Sequence, residues 1–176
     1  MAKVLTFRPK DFEKSVAFHG HLCPGLATGF RAARVLVLME RLGIRRADDE
    51  ELVAIVETNA CGADTIQVMT GCTFGRGNFI FKNYGKHAFT LAARKRGRAV
   101  RACLRPGALE VDSEHLSLFE KVQNDEASPE EIARFRELQR KRAQKVLQVD
   151  IKSLFKIREI SPDIPPQEQG YRIRDV

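Results

Sequence analysis

A chain of 176 residues, 43% apolar and 30% charged, has the composition of a globular protein with one sizeable core. No apolar run approaches the roughly 18 residues needed to span a bilayer, and the N-terminus "MAKVLTFRPKDFEK" lacks an apolar signal region, so membrane insertion and export are not expected. The expected location is cytoplasmic, where four cysteines read as thiols or metal ligands rather than a disulfide framework; the net charge of +7 points to an anionic partner only if it is clustered.

A short helix over Lys10 to Ala17 delivers the chain to His19. A second helix begins at Pro24, because the first helical turn does not need proline's missing N–H, and it stops at Gly43. Leu26, Phe30, Ala33 and Val37 form its apolar stripe, which Val35, Leu38 and Leu42 widen. Arg31, Arg34 and Arg41 share the remaining face. Residues 51–58, "ELVAIVET", read as a central strand because the apolar run is continuous. A short helix over 62–70 ends at Gly71, and a strand over 77–83 follows.

"HAFTLAAR" and "RAVRACLR" form a hairpin turning at Lys95-Arg96-Gly97. Val100, Ala102 and Leu104 share one face of its second strand; Arg101, Cys103 and Arg105 share the other. The basic residues of 94–105 read as a solvated hairpin. Nucleic-acid binding is the competing reading, weakened by the absence of tryptophan and of any binding motif. Helices over 113–123 and 128–147 come next, the latter with Ser128 as N-cap, Pro129 at its first position and Glu130 and Glu131 in its first turn. A strand over 153–160 leads into a proline-rich tail. The mixture indicates an α+β domain with a mostly antiparallel sheet packed by helices.

The chemistry concentrates in "FHGHLCPGLATGF" (18–30), where His19, His21 and Cys23 stand on alternate positions, and in "ETNACGADTIQVMTGCTFGRGN" (57–78), which holds Cys61 and Cys72. Cys23 and Cys61 each precede a helix N-terminus, whose unpaired N–H groups and dipole favour a thiolate. Imidazole and thiolate together suit zinc or another late transition metal. Against one shared site, there is no Cys-x-x-Cys pair, and Cys61 and Cys72 bracket a helix that would hold them about 12–15 Å apart. Free cysteine is also a common core residue, which is the competing reading for each of them. Cys103, His87 and His115 have no such context. The "GCTFGRGNF" turn beside Arg76 could offer backbone N–H groups to an anion, or could simply be a tight turn.

The two motifs, with the later "FKIREISPDIP", resemble the formylmethanofuran dehydrogenase E-subunit family over roughly residues 10–165. That resemblance implies a core domain over 1–165 with an extended tail over 166–176, associating as an intertwined homodimer. It implies a cleft lined by His19, His21, Cys23, Cys61 and Cys72 that binds a divalent transition metal, expected to be zinc. Asp64, Gln67, Thr73, Asn78 and Lys86 lie in the same blocks, and with Arg76 they are candidates to contact a small-molecule or cofactor ligand in that cleft. The zinc ribbon of longer members is absent from the sequence, since no cysteine follows Cys103.

The expected function is metal binding with a redox or molybdenum/tungsten-cofactor-related role, in association with an oxidoreductase complex. Two alternatives stand beside it. One is a metal-free enzyme with Cys61 or Cys23 as nucleophile and His21 as base; the other is a non-catalytic dimeric adaptor.

Overall fold

Among the described residues five strands form one sheet, and the two that are buried throughout lie inside it. β1 (Leu52–Val56) and β3 (Ala88–Ala93) are buried at every position. β2 (Phe79–Phe81), β4 (Arg98–Leu104) and β5 (Phe155–Ile160) complete the order β2-β1-β3-β4-β5. All neighbours are antiparallel except β1 and β2, which run parallel and are joined through a helix. The computed structural model describes residues 9–34, 52–161 and 164. The second half of the long helix expected up to Gly43, the residues widening its stripe and the 166–176 tail lie outside them.

The helices are α1 (Pro9–His19), α2 (Pro24–Ala33), α3 (Gly62–Thr70), α4 (Ser113–Gln123), α5 (Pro129–Gln148) and the single turn α6 (Ile151–Leu154). α2 packs against both α3 and α5, and α1 lies on α3. α3 ends where glycine permits the left-handed turn expected of it, Gly71 having φ 76°. α5 carries a full capping box: the Ser128 hydroxyl accepts from the Glu131 amide at 3.2 Å, and the Glu131 carboxylate accepts from the Ser128 amide at 2.9 Å.

Two strand boundaries depart from the sequence expectation for local reasons, and one side chain for a long-range one. The last strand begins at Phe155 rather than 153, because the Asp150 carboxylate accepts from the Lys152 amide at 2.8 Å and winds residues 151–154 into a helical turn. The strand expected over 77–83 is confined to 79–81, since Gly77 adopts φ 67° and closes the preceding 3-10 turn. Arg31, expected on a polar face, is 8% exposed: its guanidinium donates to Leu147 O at 2.6 Å and to Val149 O, closing the C-terminal end of α5.

The hairpin of β3 and β4 turns at Gly97, with Val100 and Ala102 buried. Arg101, on the opposite face, is not simply solvated. It makes a two-pronged pair with the buried Glu57 carboxylate, at 2.6 and 2.8 Å. Glu57 opens the loop that leads from β1 to Cys61, so the pair ties that loop to β4. Glu57→Ala would strand the half-buried guanidinium, and we expect a loss of about 3 kcal/mol in denaturant unfolding. Arg98→Ala, which removes only an exposed pair with Glu159, should change stability by less than about 0.5 kcal/mol.

Candidate metal centre

His19 is the last residue of α1, and Gly20, at φ 92°, turns the chain sharply toward α2. Cys23 is then the N-cap of α2, its sulfur accepting from the Leu26 amide at 3.3 Å. Cys61 stands at the same point of α3 but makes no capping bond to that helix.

Two helix N-termini meet because their crossing is made of glycine. A Cβ built on Gly29 would lie 2.3 Å from the Gly62 carbonyl oxygen, and one on Gly25 would touch Cys61 Cβ at 3.3 Å. The Thr65 hydroxyl, on α3, donates to Leu26 O of α2 at 3.1 Å. The Gly25-x-x-x-Gly29 spacing places both glycines on one helix face, which is the feature in the sequence that could have disclosed this contact.

The consequence is a group of three donors. His19, Cys23 and Cys61 offer one ligand atom each, all within 4.8 Å of one another. His19 Nε2 faces Cys23 Sγ at 3.9 Å, while its Nδ1 lies 2.7 Å from Asp64 Oδ2. Asp64 thus sits behind the imidazole, where it fixes Nδ1 as the protonated nitrogen and leaves Nε2 as the donor. His21 is exposed, its ring 4.5 Å from that of His19 at 38°, and lies outside the trio.

The electrostatics divide the two thiols. Cys61 is lowered to about 5, first because Cys23 donates to it, against burial, and then because of the charge on His19. Cys23 is raised, by that same hydrogen bond and by burial, which corrects the expectation that its helix terminus would make it a thiolate. Burial works against the charge on His19, but Asp64 and the Cys61 thiolate outweigh it and raise its pKa. In metal-free protein the alkylation rate of Cys61 should therefore stay level from about pH 8 to about pH 6 and fall below about pH 5. An ordinary thiol would climb about tenfold per unit over the upper range, which a residue-resolved alkylation series distinguishes.

The other expected site residues lie elsewhere. Cys72 does not join the trio: it is fully buried beyond the far end of α3, its thiol donates to Leu52 O at 3.3 Å, and burial raises it to about 11. The nine-residue helix between Cys61 and Cys72 keeps them apart. Asn78 is wholly buried and structural, accepting from the Thr73 amide at 3.0 Å and donating to Leu52 O at 3.1 Å. Arg76 is exposed and donates to Gly71 O at 3.3 Å, closing the turn that follows α3. Thr73, Arg76 and Asn78 therefore gather at the opposite end of α3 from Cys61. Gln67 is half-buried along α3, and Lys86 is exposed, its amide donating to Glu57 O at 3.1 Å in the loop beside Cys61.

The donor set fits a transition metal. Ligands of a tetrahedral zinc stand about 3.5–3.8 Å apart, and the imidazole–thiol separation of 3.9 Å is near that already. Among the described residues the group is two sulfurs and one imidazole, one donor short of a tetrahedral set. Among the described residues no helix is long and apolar enough to cross a membrane.

A probable S-adenosyl-L-methionine-binding protein of Archaeoglobus fulgidus is 36% identical over 139 residues, which are 75% of this chain and 37% of that protein. The chain thus spans little more than a third of that relative's length. The crystal structure of an FmdE-like protein of tungsten formylmethanofuran dehydrogenase type from Syntrophus aciditrophicus superposes with a TM-score of 0.57 at 24% identity, covering 97% of this chain and 81% of that one, and so shares the fold. The family model described as "FmdE, Molybdenum formylmethanofuran dehydrogenase operon" matches residues 18–156, a span holding His19, Cys23, Cys61, the strands β1 to β4 and the start of β5. The chain belongs to the FmdE family.

Proposed function

We propose that this protein binds one divalent transition metal, zinc by preference, through His19 Nε2 and the sulfurs of Cys23 and Cys61. The observation that carries the reading is the convergence of those three donors while Asp64 holds the far side of the imidazole. Bound there, a metal ion would supply a Lewis acid with one position free for a ligand. The residues do the rest. Asp64 keeps His19 in the tautomer that can donate, and the buried α2–α3 crossing holds the two sulfurs at fixed separation. The low pKa of Cys61 means that one of the two thiol protons is already lost at neutral pH.

The role we assign to this centre is auxiliary to molybdenum or tungsten redox chemistry, in a cytoplasmic homodimer associated with an oxidoreductase. The family's description supports it. A small-molecule or cofactor ligand would take the free position. Elemental analysis of protein purified without an affinity tag tests the metal: one equivalent per chain is expected, and folded protein that neither carries zinc nor takes it up would overturn the reading.

A second reading is favoured by the same geometry. Asp64, His19 and a low-pKa Cys61 stand in the order orienting acid, base and nucleophile, with His19 in the place expected for His21. Under that reading zinc would inhibit, and covalent trapping by an electrophile would be stoichiometric at Cys61.

A further inference from the structure

A cavity of about 230 Å³ opens beside α5, at the end of the sheet where β4 finishes and β5 begins. It contains none of the three metal donors. Leu109, Val146, Val149 and Leu154 from α6 give it an apolar part, and Pro24, the residue that follows Cys23, also lines it. Two cations border it, Arg142 and Lys145, one helical turn apart on α5. Glu110 is the single acidic residue of the lining among the described residues. We propose that this cavity binds a small organic anion, a carboxylate with an apolar body, at a site that shares none of the three metal donors.

Size, wall and charge each contribute to this assignment. A cavity of about 150 Å³ accommodates benzene, about 25 Å³ per heavy atom, so this one takes about nine. A carboxylate bearing a five- or six-carbon body falls within that size. The Leu109, Val146, Val149 and Leu154 side chains suit the body, and the cations suit the head group. Arg142 is oriented before any ligand arrives, its guanidinium lying 3.0 Å from Nε2 of the buried His115. Lys145 makes no ion pair among the described residues, so its ammonium is available. The negative end of the α5 dipole would oppose an anion here, but the Arg31 guanidinium already covers Leu147 O and Val149 O. No lining residue belongs to the donor trio, although Pro24 stands next to Cys23, so binding is expected to need no metal.

The test is a two-dimensional amide NMR titration of the full chain, metal-free and zinc-loaded, with hexanoate, 1-hexanol and hexylamine as probes. Saturable shifts are expected with hexanoate at Gly107, Ala108 and the Val146–Val149 turn, alike in both metal states. Hexanol should bind about tenfold more weakly and hexylamine not at all. Lys145→Gln, an exposed change that spares the fold, should weaken hexanoate about fivefold. Val146→Phe, which fills the cavity, should abolish the shifts; its own spectrum reports whether it folds. Equal affinity for hexanoate and hexanol would overturn the assignment. So would the absence of saturable shifts at tens of millimolar, or shifts confined to Cys23 and Cys61 that appear only with zinc. The last outcome would leave the metal reading intact, and loss of zinc binding would leave this one intact.

Discussion

Gly29→Ala should lower stability by about 3 kcal/mol or more, a large effect for one methyl group. The new Cβ would lie 2.3 Å from the carbonyl oxygen of Gly62, 2.5 Å from its Cα and 2.7 Å from its carbonyl carbon. All three are backbone atoms, so no side chain can rotate away, and the two helices must move apart. Helix propensity acts in the other direction, alanine being favoured over glycine by about 1 kcal/mol within a helix. The steric term decides the sign. Gly75→Ala is the control, since its Cβ meets nothing within 4 Å and its φ is not in the left-handed range. Urea unfolding of the two variants measures the difference. A Gly29→Ala protein as stable as Gly75→Ala would mean that α2 and α3 do not cross this closely. The same displacement should weaken zinc binding, because Cys23 and Cys61 are carried on the two helices that separate.

That crossing marks the boundary of what the sequence disclosed. Elements whose evidence is local were legible: the α3 helix over 62–70 with its Gly71 stop, the 113–123 helix, and the Ser128 cap of α5. Each depends on residues within a few positions of one another. Strand boundaries were less so, because Gly77 and the Asp150 turn trim β2 and β5 by local hydrogen bonding that periodicity does not register. Arg31 read as a surface residue since its acceptors, Leu147 O and Val149 O, lie more than a hundred positions away.

The site was legible as composition but not as geometry. Alternating histidine and cysteine in 18–30, with Cys61 at a second helix start, were visible as unusual. Which of them meet was not, because the answer depends on Gly25 and Gly29 facing Gly62. Asp64 appeared only as a candidate ligand contact, and its place behind His19 follows from α1 lying against α3. Cys72 and Asn78 shared a motif with Cys61 yet serve the core at the other end of the same helix. Residues close in a motif can be separated by the length of one helix, and here they are.

Cys61→Ser and Cys23→Ser should each abolish stoichiometric zinc, whereas Cys72→Ser and Cys103→Ser should retain it. The argument is geometric. Removal of either sulfur from the trio leaves two donors, one imidazole and one thiolate, and two donors do not hold zinc against millimolar chelator. Cys61→Ser should be the more severe, because it removes the thiol that is already ionised at neutral pH. Cys72→Ser keeps a donor to Leu52 O but buries a hydroxyl in a site with no exposure, so a loss of about 1–2 kcal/mol in unfolding free energy is expected without loss of metal. Cys103, half-buried on β4, should tolerate the change. Asp64→Asn gives the finest discrimination, since it leaves all three donors in place and weakens only the hold on the His19 tautomer. A loss of about 10–100-fold in zinc affinity, measured by competition with a chromophoric chelator, is expected for it. Should Cys72→Ser release the metal while its fold and thermal midpoint are preserved, a third cysteine, from outside the trio, would have to reach the centre, and the separation imposed by α3 would have to be broken in the metal-bound protein.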